Sequence, residues 1–138
     1  LALVARGKPF TMGNWEKAVT QHGERDGVRY RLARYLHDGK KLVCVSDAGG
    51  EEALEVHGVR SRPDREPKVT RLDGIEIGRP HDLIPSPTRD EVVLANHRNE
   101  LVWVDLKKKD GTIDALYEYW MLGGAAKPKT PRRPTPAW

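Results

Sequence analysis

The chain has 138 residues, 38% of them hydrophobic and 32% charged, with a formal net charge of +4. That is the length of one ordinary domain, polar for a globular protein yet with apolar residues enough for a core. A single cysteine, Cys44, excludes an internal disulfide framework and a cysteine-rich zinc site, and no apolar stretch approaches the roughly 20 residues of a membrane helix.

Residues 1–5 alternate weakly and read as a strand. Arg6-Gly7-Lys8 is a turn, Pro9–Met12 a second strand, and Ala18–Gln21 a short outer strand. No initiator Met or basic leader precedes Leu1, so the start reads as that of a piece cut from something longer. Val28-Arg29-Tyr30-Arg31-Leu32 alternates with period two, as a half-buried strand does. His37-Asp38-Gly39-Lys40 is a hairpin turn, its Asp-Gly suited to left-handed backbone. Leu42–Val45 is a continuous apolar run, the pattern of a strand covered on both faces, and Cys44 inside it reads as a buried structural thiol. Asp47–Glu51 is the next turn, Ala53–Val56 the third strand, Ser61–Pro67 a charged loop, and Lys68–Leu72 a polar edge strand.

The pattern then repeats. Pro85–Val104 carries the same order as Tyr35–Val56, about 48 to 50 residues later: polar turn, apolar run, polar turn with Glu, apolar run. The second set of strands is expected at His81–Ile84, Glu91–Ala95, Leu101–Leu106 and Thr112–Leu116, with Asp114–Leu122 as a helix the alternative for the last. A fainter echo at 117–128 runs into Lys129–Pro136, where repeated prolines preclude regular pairing. Short strands and tight turns repeating at this period are the signature of propeller blades. The expected fold is therefore all-β: an incomplete β-propeller of about two four-stranded blades, partial flanking blades and a disordered basic tail. The divisions are the end of a preceding blade at 1–21, blades at 22–74 and 75–116, and a degenerate blade start with a Pro/Lys/Arg-rich tail at 117–138. Terminal blades lack a neighbour, so Leu42, Val43, Val92, Val93 and Leu101 are expected to leave apolar surface bare.

Candidate chemistry is sparse. The five histidines, His22, His37, His57, His81 and His97, show no i, i+4 pair, and they read as solvated turn or edge residues rather than metal ligands. Ser46, His81 and Asp82 can be assembled into a triad on paper, but no Gly-X-Ser-X-Gly elbow singles out a serine, so no catalytic residue is assigned. No cofactor or metal is indicated. Trp103 lies mid-strand and reads as core, and Trp15 as packed on a blade edge. Basic residues concentrate at Lys107–Lys109 and in the tail at Lys127, Lys129, Arg132 and Arg133, which argues against a nucleic-acid surface on the fold itself. Arg29 and Arg31 fall on a first strand, with Arg79 and His81 in the equivalent place of the next repeat. First strands line a propeller's central channel. These four are the candidate channel-lining residues, cations able to steer anionic groups.

The unit from Asp38 to Glu51 resembles the blade repeat of TolB and tricorn propellers, which reads Ser-Pro-Asp-Gly, an apolar strand, then Ser-Asp before a Gly/Glu turn. Ser86-Pro87 matches the start of that motif, while Thr88-Arg89 departs from Asp-Gly and Asn96-His97 from Ser-Asp. Ala5–Lys8, Gly27–Arg31, Ser46–Glu52 and Ala95–Leu101 make the stretch from Leu1 to Leu106 similar to bacterial tricorn proteases in particular. The resemblance implies a cytoplasmic serine peptidase that trims oligopeptides as a homo-oligomer, whose propellers filter and guide peptides. This segment's partners would then be the remaining blades, the peptidase domains of a longer chain, and peptides, with no membrane or nucleic acid. The family's catalytic residues lie in domains outside this stretch. The alternative is a TolB-like protein-binding propeller without a peptidase.

Overall fold

The computed structural model describes residues 1–23, 25–59 and 67–115. The sequence echo at 117–128, the proline-rich tail and most of the Ser61–Pro67 loop lie outside these residues. Among the described residues there are eleven strands and no helix: β1 (Ala2–Ala5), β2 (Lys8–Thr11), β3 (Thr20–Gln21), β4 (Tyr30–Tyr35), β5 (Lys41–Ser46), β6 (Ala53–Gly58), β7 (Val69–Leu72), β8 (Pro80–Pro85), β9 (Glu91–Asn96), β10 (Glu100–Asp105) and β11 (Asp110–Ala115). They form three antiparallel sheets, β1-β2-β3, β4-β5-β6-β7 and β8-β9-β10-β11, each strand pairing with its sequence neighbours. The sheets do not close on themselves. Residues 112–115 are strand rather than helix.

Alternation along each strand decides how the sheets stack. Leu42 and Cys44 point to one face of the second sheet, where they cluster with Tyr30 and Ala33 against Ala2 of the first sheet. Val43 and Val45 point to the other face, joining Leu36, Leu54 and Leu72 in one cluster with Ile77, Leu83, Val92, Leu94, Val102 and Val104 of the third sheet. Thus β5 is covered on both faces, which is why its sequence is a continuous apolar run. Each fully buried Leu or Val contributes about 1.5–3 kcal/mol relative to exposure.

The repeat is written in the backbone. Lys41–Ser46 and Glu91–Asn96 are equivalent, fifty residues apart. The Leu36 amide donates to Lys41 O at 2.9 Å, and the Ser86 amide to Glu91 O at 2.8 Å. The Val59 amide donates to Lys40 O at 2.8 Å, and the Leu106 amide to Asp90 O at 2.9 Å. Val92 and Leu94 face the second sheet as Leu42 and Cys44 face the first.

Several expectations are corrected. The strand expected from Val28 begins at Tyr30, and its register slips between Arg31 and Arg34, where Leu32 adopts a φ of 56°. Strict alternation therefore does not carry through it. Leu42, Val43 and Val92 are fully buried, because the described sheets already cover both sides of β5 and the inner side of β9; Val93 and Leu101 remain half-buried. Trp15 is 95% exposed rather than packed on an edge. Trp103 is half-buried, paired across Val93 on the outward face of the third sheet. His22 and His57 are buried rather than solvated.

Candidate functional site

The turns between β5 and β6, between β7 and β8, and between β9 and β10 gather at one end of the second and third sheets. There they border a groove of about 870 Å3 lined by Glu51, Glu52, Arg71, Glu76, Arg79 and Arg98, among others. Gly78 gives the chain its tight approach to this groove. Its φ is 63°, and a Cβ there would lie 2.8 Å from Asn96 Nδ2. Only glycine satisfies both demands without strain.

The four sequence-predicted residues divide. Arg29 and Arg79 occupy equivalent positions just before β4 and β8. The Arg29 amide donates to Asp47 Oδ1 at 2.7 Å, and the Asp47 amide returns to Arg29 O at 3.2 Å. In the next repeat the Arg79 amide donates to His97 Nδ1 at 3.1 Å, and the His97 amide returns to Arg79 O at 3.1 Å. Both arginine side chains are exposed. Neither guanidinium meets a carboxylate among the described residues. Arg31 is different: its Nε and Nη2 donate to the two Glu52 oxygens at 2.8 and 2.6 Å. This bidentate pair offsets the Arg31 charge locally. His81 is exposed at the register shift between Pro80 and Asp82. Of the four, only Arg79 borders the groove.

Sequence reasoning missed a buried polar network on the second sheet. Glu55 and His57 are 1% and 2% exposed. His57 Nε2 donates to Glu55 Oε2 at 2.9 Å, and Arg71 Nη1 donates to Glu55 Oε1 at 3.2 Å and Ser46 Oγ at 3.2 Å. Arg71 also pairs with Asp73 at the groove and donates to Glu51 O at 2.8 Å. Burial works to raise the Glu55 pKa, but hydrogen bonds from His57, Ser46 and Arg71 outweigh it and hold it below the ordinary value. On the same face, the His57 ring meets those of Tyr30 and His22 edge-on, with centroids 5.9 and 6.1 Å away. Thr11 Oγ1 shares a 2.7 Å hydrogen bond with His22 Nε2. The signal lay in the repeat: Glu55 and His57 stand where the third sheet has Val102 and Val104. Ser46, the serine of the paper triad, is occupied by Arg71 and the Ala48 amide. No group of three His, Cys, Asp or Glu side chains among the described residues is arranged to hold a metal ion. Among the described residues no helix is long and apolar enough to cross a membrane.

Comparison with known proteins gives one consistent result. A tricorn protease homolog of Saccharolobus solfataricus is 36% identical over 104 residues, 75% of this chain and 9% of the relative. A tricorn protease homolog of Streptomyces coelicolor is 27% identical over 118 residues, 85% of this chain and 10% of the relative. This is a tricorn-like chain. A tricorn-like protease C-terminal subunit of Sulfurisphaera tokodaii is 29% identical over 101 residues, 73% of the chain and 11% of the relative. The tricorn-like chain spans about a tenth of the length of the curated relatives it matches. No family model matches it, and no solved structure matches it significantly.

Proposed function

We propose that this chain is a non-catalytic β-propeller segment of a tricorn-like serine peptidase, serving as scaffold and peptide conduit. In this reading each sheet is a blade, with divisions at 1–21, 22–74 and 75–116. The remaining blades and the peptidase domains belong to the longer protein, a cytoplasmic homo-oligomer that degrades oligopeptides. The observation that carries the reading is the matched pair of backbone clasps, Arg29 with Asp47 and Arg79 with His97. They put the same residue type at the same point of successive first strands, as a radial array does. The outward face of the third sheet gives further support. Val93 and Trp103 pair on it at the positions of Val43 and Val56, by which the second sheet packs on the third, and Ile84 lies across from Val93.

Arg29 and Arg79, with Arg31 and His81 beside them, line the channel in this reading. The charge of Arg29 and Arg79 draws peptide carboxylates and falls in effect with salt. The test is association of a labelled acidic peptide with the purified chain at low and high salt. Arg29→Gln/Arg79→Gln should weaken association and flatten its salt dependence. Unchanged binding in that variant would remove the channel role. The same preparation should not cleave fluorogenic peptides. Saturable cleavage lost on mutating a serine of this chain would overturn the non-catalytic reading.

A further inference from the structure

A second cavity, of about 290 Å3, lies between the same two sheets at the end opposite the groove. Its apolar wall is Leu36, Val56, Leu72 and Leu106. Its rim is cationic. Lys41 is engaged by Asp90, and Lys108 leans on Asp105, whereas Lys68, Lys107 and Lys109 at the rim form no ion pair with a described residue. The turn that carries two of these lysines is held in shape: Asp105 Oδ1 accepts from the Lys107 and Lys108 amides, each at 3.0 Å. Among the described residues the one carboxylate in the wall is Asp90, whose two oxygens accept from Lys41 at 2.8 Å and His37 at 2.9 Å. An apolar slot of this size beneath ammonium groups with no ion-pair partner among the described residues suits a ligand with one apolar side chain next to an anion.

The edge of the second sheet narrows the choice. Among the described residues β7 is the last strand in its sheet, and its Thr70 and Leu72 border the cavity with Lys68 beside them. A free strand edge offers main-chain hydrogen bonds to an extended peptide, with a pocket for one side chain. A fatty acid has no use for it. We propose that this cavity binds the C-terminal residue of a peptide, its apolar side chain against Leu36, Val56, Leu72 and Leu106 and its α-carboxylate among Lys68, Lys107 and Lys109. The site adds a specific contact to the conduit reading and stands on different residues.

The experiment is calorimetric titration of the full 138-residue chain with acetyl-Ala-Ala-Leu bearing a free carboxylate. The same peptide as its amide, and octanoate, are the comparison ligands. Saturable binding of the acid is expected, with the amide weaker by about fivefold or more, since the loss is one exposed charge contact. Lys107→Gln/Lys109→Gln, at exposed positions, should weaken the acid by a similar factor and leave the amide unchanged. Arg29→Gln/Arg79→Gln should leave both unchanged, which separates failure of this site from failure of the channel. Equal affinity for acid and amide, an unaltered lysine variant, or no saturation overturns the proposal. So does octanoate binding more tightly than the peptide, which would make the site one for fatty acids.

Discussion

Lys41 Nζ donates to Asp90 Oδ2 across 2.8 Å, and that contact ties the second sheet to the third. Asp90 is buried, and His37 Nε2 donates to its other oxygen at 2.9 Å. Burial alone would raise the Asp90 pKa, but the hydrogen bond and charge of Lys41, aided by His37, bring it below the ordinary value. A carboxylate with a lowered folded pKa contributes stability that is complete above its unfolded pKa and lost as pH falls through the folded one. Asp90→Asn should therefore cost about 1–2 kcal/mol at neutral pH, the loss of a charged hydrogen bond whose lysine can turn to water. The gap to the unsubstituted chain should close below about pH 4. Urea unfolding from pH 7 to pH 3 measures it, and a gap that stays constant would remove Asp90 from this role.

The buried Glu55–His57 pair gives a second expectation. Glu55→Ala leaves His57 and Arg71 facing an empty site and should cost about 3–5 kcal/mol, as breaking a buried pair does. The repeat suggests its own repair. Val102 and Val104 hold the same positions in the third sheet, so Glu55→Val/His57→Val should cost less than Glu55→Ala alone. A double variant less stable than the single one would mean that the polar network fits its neighbours better than any apolar filling.

Cys44 should be inert in the folded chain. Burial, then the nearby Glu55 charge, pushes its thiol pKa far up, and it is the thiolate that reacts. Labelling with a thiol-specific disulfide reagent should be undetectable in native buffer and should rise with urea along the unfolding curve. Fast labelling without denaturant would show local opening between the first and second sheets.

The outward face of the third sheet should make the isolated chain self-associate. Ile84 is 52% exposed and lies beside half-buried Val93 and Trp103. Sedimentation should show association that grows with concentration and is reduced by Ile84→Thr. A monodisperse monomer with a concentration-independent unfolding transition would mean that the face is satisfied within the chain.

The strands were legible where physics leaves one option. Leu42–Val45 reads as a doubly covered strand because both its faces are buried, and β9 follows by repetition. The start of β4 was not legible. Its alternation from Val28 is real in sequence, but the slip at Leu32 turns the later residues to the opposite faces, and no composition rule announces such a bulge. Glu55 and His57 were missed because charged residues in a strand ordinarily mark its wet face. Here each neutralises the other's burial cost together with Arg71. The equivalence of Arg29 and Arg79 was legible because the repeat aligned them. The capture of Arg31 by Glu52 depends on a turn some twenty residues away, which strand periodicity does not report.

The repeat is not uniform along its length. Six residues, 47–52, join β5 to β6, whereas three, 97–99, join β9 to β10. The longer turn carries Gly49 and Gly50, both exposed and with open space where a Cβ would sit. Strand pairing resumes unaltered after either length. That rim of the molecule thus accepts added chain at little cost, and the bond between Gly49 and Gly50 is a place to insert a fluorophore tag or an affinity epitope while both neighbouring sheets keep their register.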